Sequence, residues 1–179
     1  MTKNKTMAVG ETKEDPAFLV YVYELNEGRN LTEALRRSLK NIDELDIAQF
    51  NRIGLKTYAE GKWTIHKILQ HLIDWERIWC FRAIIFARGE GTIPDAHDQE
   101  IMGENSNADE LFIEQLVSEL RVVRQSTMLM FESFNEKILN TSCRFFEYEM
   151  PLFAIGLTVA AHQIHHFKVI AERYVPLDQ

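Results

Sequence analysis

The residues of this chain best suited to chemistry are its histidines. There are six: His66, His71, His97, His162, His165 and His166. A helix turns about 100° per residue, so side chains four apart lie about 40° from one another on one face. His162 and His166 have that spacing and share their side with Ile155, Val159 and Val169. His165 falls with Lys168 and Glu172, in the sector expected to face solvent. His71 shares its side with Ile68, Trp75, Ile78 and, farther along, Arg82, whereas His66 falls with Gln70 and Arg77. The spacing therefore predicts His71, His162 and His166 inward, and His66 and His165 outward. His97 sits in a connection and is not placed by this test.

Three inward imidazoles are costly to bury without partners. One divalent metal ion would satisfy all three, since neutral imidazole is its commonest side-chain ligand. A single inward histidine is more often a satisfied core residue, so facing alone leaves the metal reading and the plain core reading both open. No fourth ligand is evident. An ion on three nitrogens would keep open positions and could activate water or a thiol.

Other side chains near these histidines have two readings each. Trp75 and Arg82 are candidates for a substrate pocket, Arg82 as a partner for an anionic group. The alternative is core packing for Trp75 and a structural ion pair for Arg82, with Glu76 or a carboxylate on the third helix. Glu76 falls among Leu69, Ile73 and Ala83 and needs a partner. Asp74 tends outward and reads as a solvated carboxylate. Cys80 lies opposite His71 and reads as packing. No catalytic base stands out.

The elements that must carry these residues are helical. Leu31, Leu35, Leu39, Ile42 and Leu45 recur at three or four, which predicts a first helix over about Thr32 to Ala48. Phe18 to Leu25 reads as extended chain or a helical turn. A second helix is expected from Thr64, as N-cap, to about Ala87, ended by Gly89. A third is expected from Asn107 to Phe134, opened by a Ser106–Asp109 capping box, with Phe112, Leu116, Leu120, Val123 and Thr127 on its seam. A fourth runs from Pro151 to Tyr174. No stretch reads as a convincing strand pair. The expected architecture is all-α, a four-helix bundle with one long crossover, Gly89 to Ser106, between helices two and three.

A chain of 179 residues, 46% apolar and 26% charged, fits one domain over residues 16–179 behind a polar tail at 1–15. The net charge of −7 speaks against a nucleic-acid partner. The tail lacks the apolar run of a signal peptide, and the longest early apolar run, Ala17 to Tyr23, is too short to span a bilayer. Two cysteines, Cys80 and Cys143, do not make a disulfide framework, so a cytoplasmic setting is expected.

Gly61-Lys62-Trp63-Thr64-Ile65 followed by His71-Leu72-Ile73-Asp74-Trp75-Glu76-Arg77 resembles the second helix of the DinB superfamily, the DinB/YfiT-like metalloenzymes. Phe81-Arg82-Ala83 and the close, Ala161-His162-Gln163-Ile164-His165-His166-Phe167, continue the resemblance, which covers about residues 30 to 175. It implies a four-helix bundle with a three-histidine site for nickel, zinc or a similar ion on His71, His162 and His166. It also implies a homodimer and, in some relatives, a low-molecular-weight thiol as co-substrate. The crossover departs from the family's usual Pro-Gly-Phe-Asp, with Ile93-Pro94-Asp95-Ala96-His97-Asp98 in its place. The expected function is metal-activated attack of thiol or water on a small electrophile. The alternative is a noncatalytic metal-binding stress-response bundle.

Overall fold

Local capping chemistry defines where the helices begin. The computed structural model describes residues 17–90, 97–145 and 148–179; the tail expected at 1–15 lies outside them, as do residues 91–96 of the crossover. In chain order the elements are α1 Ala17–Leu25, α2 Leu31–Asp43, α3 Ile47–Ile53, α4 Ile65–Ala87, α5 Gln99–Glu104, α6 Ile113–Glu132, α7 Glu136–Leu139, β1 Ser142–Phe145, β2 Tyr148–Pro151 and α8 Leu152–Val169. Asn30 opens α2 with a capping box closed by Glu33, and Thr64 caps α4 by accepting from Lys67 N–H. Beyond α4, Gly89 takes φ +77, a conformation that glycine reaches without Cβ strain.

Helices α2, α4, α6 and α8 form the expected four-helix bundle. Around it α2 packs on α6, α6 on α4, α4 on α8, and α8 back on α2, which sets α2 and α4 across a diagonal. Helix α1 lies against α8, tied there by Asn26, whose Nδ2 donates to Leu157 O at 3.0 Å. Gly156 lets α8 approach closely: a Cβ there would collide with Leu31 and come within 3.1 Å of Phe131.

The core falls into two apolar clusters. One holds Leu35, Trp75, Trp79, Phe131 and Ile155; the other holds Ile42, Leu69, Ile73, Leu116 and Leu120. A buried polar layer joins all four bundle helices. Arg124 of α6 donates to both oxygens of Glu76 on α4, each at 2.9 Å, and also to Ser38 Oγ on α2. Thr127 Oγ1 lies against the same carboxylate, and Gln163 of α8 donates to Ser38 O at 2.8 Å.

Several expectations are corrected. The first helix stops at Asp43 because Asp46 caps a new one, accepting from Gln49 N–H. Phe18 to Leu25 lies within helix α1. The third helix starts at Ile113: Asp109 accepts from Thr64, Ser106 Oγ donates to Gly103 O, and no Ser106–Asp109 box forms. Phe112, placed on the seam by spacing, is 73% exposed as the N-cap. A strand pair does exist, β1 against β2 with Cys143 opposite Met150, leading directly into α8. Cys143 to Glu149 alternates only weakly in sequence, because each strand is four residues long and the run passes from one into the other.

Candidate metal centre

His71 lies in the second turn of α4, and His162 and His166 lie in the last turns of α8. The two helices run antiparallel, since Trp63, just before α4, accepts a hydrogen bond from Tyr174, just after α8, while farther along Trp79 meets His162. His162 Nε2 stands 3.0 Å from His71 Nε2 and 3.1 Å from His166 Nε2. All three ligand atoms lie within 4.8 Å of one another, and no fourth His, Cys, Asp or Glu joins the group among the described residues.

This geometry is poorly explained by hydrogen bonding alone. An imidazole nitrogen offers one in-plane direction, either a proton or a lone pair. His162 Nε2 therefore cannot serve two nitrogen neighbours well. A tetrahedral ion with bonds of about 2.0–2.1 Å requires ligand nitrogens about 3.3 Å apart. The two spacings at His162 lie near that and the third pair stays within 4.8 Å, so small side-chain shifts let the residues fit a shared divalent ion.

The surroundings keep the imidazoles neutral. Trp63 lies 5.0 Å from the His71 ring and Trp79 4.8 Å from the His162 ring, centre to centre. Burial pushes His71 down to about 4 and His166 to about 3, and it holds His162 well below 6.5. Neutral imidazoles present the lone pairs that a cation needs.

Two cavities flank the triad. One, about 290 Å³, is bounded by Tyr21, Trp75, Trp79, Ala161 and His162. The other, about 260 Å³, is bounded by Lys62, His71, Glu100, His166 and Tyr174. Gln99 of α5 and His165 line both, so the crossover forms part of each mouth.

The other singled-out residues take varied places. Trp75 lines the first cavity, while Arg82 is 3% exposed and lines neither. Glu76 pairs with Arg124, not Arg82. Asp74 is half-buried and accepts from Gln70 Nε2, with burial raising its pKa. Cys80 packs against Thr127, and burial lifts its thiol to about 11. His165 is exposed as expected, its Nδ1 2.6 Å from Tyr21 Oη, and His97 is exposed too. His66 is a correction: it is only 8% exposed, because the turn at Ala108–Glu110 packs over the start of α4. Helix spacing gives its angle but not this cover.

Sequence reasoning missed Tyr21 and Arg124. Tyr21 belongs to a segment not read as a helix. Arg124 had a signal: it follows Leu120 by four and precedes Thr127 by three, a cation set within an apolar seam.

The family model of the DinB superfamily matches residues 30–170. This chain belongs to the DinB superfamily. Among solved structures the DinB-superfamily chain is similar to YfiT from Bacillus subtilis, with a TM-score of 0.58 at 15% identity, covering 91% of this chain and 90% of that one. YfiT is described as "a probable metal-dependent hydrolase with an unusual four-helix bundle topology". At that identity the likeness concerns the fold. A comparison with curated proteins finds no match. The family match begins after α1, so Tyr21 and Val22 of the first cavity lie outside it.

Proposed function

We propose that this protein is a metal-dependent enzyme in which His71, His162 and His166 hold one divalent ion, nickel or zinc by ligand type, and that a thiol or water is activated there to attack a small electrophilic substrate. The observation that carries the reading is the convergence of three neutral imidazoles, with no fourth protein ligand in the group among the described residues, beside two cavities. Structural zinc sites usually close with four protein ligands, whereas catalytic ones keep a position open. The bound ion would supply Lewis acidity, lowering the pKa of a coordinated water or thiol toward neutrality.

The chain's own residues do the rest. Trp63, Trp75 and Trp79 crowd the imidazoles and limit water around them, which strengthens electrostatic interactions at the centre. The buried Glu76–Arg124 layer ties α4 to α6, and Gln163, next to His162, ties α8 to α2. These bonds hold the His71 helix and the His162 helix in one register. YfiT's description as a probable metal-dependent hydrolase supports the water-activating form. The two cavities suit the thiol-transfer form, in which a low-molecular-weight thiol and an electrophile each occupy one of them.

The test is elemental analysis of untagged protein, followed by thiol-conjugation and ester- and amide-hydrolysis assays with and without chelator. The expected result is about one ion per chain and turnover that the chelator abolishes. Stoichiometric metal with no turnover on either panel would favour a noncatalytic metal-binding bundle. Failure to take up zinc or nickel would remove the reading altogether.

A further inference from the structure

The two cavities differ in chemistry. The one on the His71 and His166 side carries Lys62, Glu100, Tyr58 and Tyr174. Among the described residues, the one on the His162 side is lined by no Asp, Glu, Lys or Arg. Its inner wall is Val22, Trp75, Trp79 and Ala161, each buried. Its hydroxyls are already engaged: Thr158 donates to Ala154 O at 2.9 Å, and Tyr21 Oη lies 2.6 Å from His165 Nδ1. In the metal-free protein an anionic group placed there would lose its hydration and find no cationic side chain among the described lining residues. An apolar ring would gain both burial and contact with two indoles.

We propose that the cavity between α1, α4 and α8 is the subsite for an uncharged, apolar, ring-sized portion of the substrate, held beside His162. The polar portion, or a polar co-substrate, occupies the other cavity beside Lys62. This assignment rests on the metal-centre reading for its catalytic meaning, though the cavity itself is formed by packed helices. A cavity of about 150 Å³ accepts benzene, so the present volume suits on the order of a dozen non-hydrogen atoms. Helix α1 contributes Tyr21 and Val22 and is thus a specificity-determining wall.

The experiment uses the full chain stripped of metal by chelator, so that a carboxylate cannot ligate zinc, and ligand-observed NMR with naphthalene and 2-naphthoate, with zinc uptake by the same preparation measured separately. Naphthalene is expected to bind, with 2-naphthoate at least tenfold weaker. Ala161→Leu, which fills the cavity floor, is expected to weaken naphthalene binding at least tenfold. Tyr21→Ala removes wall from a side chain 41% exposed and is expected to weaken it severalfold. If Ala161→Leu does not melt as a folded protein, the Tyr21 variant carries the test. Equal binding of the carboxylate, or naphthalene binding that neither substitution changes, would overturn the proposal. Stoichiometric zinc with no naphthalene binding sinks the subsite and spares the metal centre. Naphthalene binding to a protein that takes up no metal does the reverse.

Discussion

Arg124 donates from Nε and Nη2 to the two carboxylate oxygens of Glu76, both at 2.9 Å, with the side chains only 1% and 2% exposed. Removing one partner strands the other as a buried charge. Glu76→Ala is therefore expected to cost about 3–5 kcal/mol in urea unfolding. Glu76→Leu combined with Arg124→Met is expected to cost less than either single change. A double variant as unstable as the sum of the singles would show that the pair is not coupled.

The triad predicts a sharp split between metal content and fold. Each of His71→Ala, His162→Ala and His166→Ala is expected to reduce bound zinc from about one per chain to under a tenth, while far-UV circular dichroism stays helical. Saturating zinc at a hundredfold over its dissociation constant is expected to add about 2.7 kcal/mol to the unchanged protein. The alanine variants should show no such gain. Zinc-dependent melting that survives all three substitutions would place the ion elsewhere.

Burial sets the acid sensitivity of the metal-free protein. His71 and His166 titrate at about 4 and about 3 when folded, against 6.5 for an ordinary histidine. Between those values the unfolded chain binds more protons than the folded one. Stability is therefore full above about pH 7 and falls as pH drops through 6.5 toward 4. The slope is up to about 1.4 kcal/mol per pH unit for each histidine. Urea midpoints from pH 8 to pH 4 measure it. Replacing His71 and His166 with alanine should reduce the slope while His162 and His66, also lowered by burial, keep part of it, and an unchanged slope would assign the effect to other groups.

His66 offers a contrast. It is buried on the same helix, outside the triad, and its Nδ1 finds no hydrogen-bond partner among the described residues. An unpaired buried polar atom costs about 1–3 kcal/mol. His66→Leu is accordingly expected to match or exceed the wild-type melting temperature, with zinc content unchanged. A loss of zinc would tie this residue to the metal centre.

Gly156→Ala tests the close packing of α8. Its added methyl meets Leu31 and Phe131, both core side chains. Overpacking of this kind costs about 1–3 kcal/mol. Thermal melting checks this, and an unchanged melting temperature would mean that Leu31 shifts aside freely.

What was legible in the sequence follows from where each determinant sits. His71, His162 and His166 could be oriented because their helices are long, and Thr64 marks where α4 begins. The angle of a residue on its own helix is local information. The cover over His66 comes from Ala108–Glu110, more than forty positions away, and no periodicity within α4 contains it. The same holds for the start of α6: Asp109 accepts from Thr64, the N-cap of α4, and does not close a box with Ser106, and the helix begins at Ile113. The need of Glu76 for a partner was readable, yet choosing Arg124 over Arg82 required knowing which helix α4 faces. Helix α1 was the largest omission at the site. Nine residues with little polar contrast carry a weak helical signal until α8 is there to receive them.

The triad also joins distant parts of the chain. His162 and His166 are neighbours on one helix, but His71 lies 91 positions before His162. In the unfolded polypeptide, two imidazoles are near each other and the third wanders. An ion gripped by all three would close a loop of that length, acting as a reversible staple between the middle of the polypeptide and its far end. Three-point capture then requires α4 and α8 to be docked. Before that moment the chain can offer a cation only the two-point hold of a single helix.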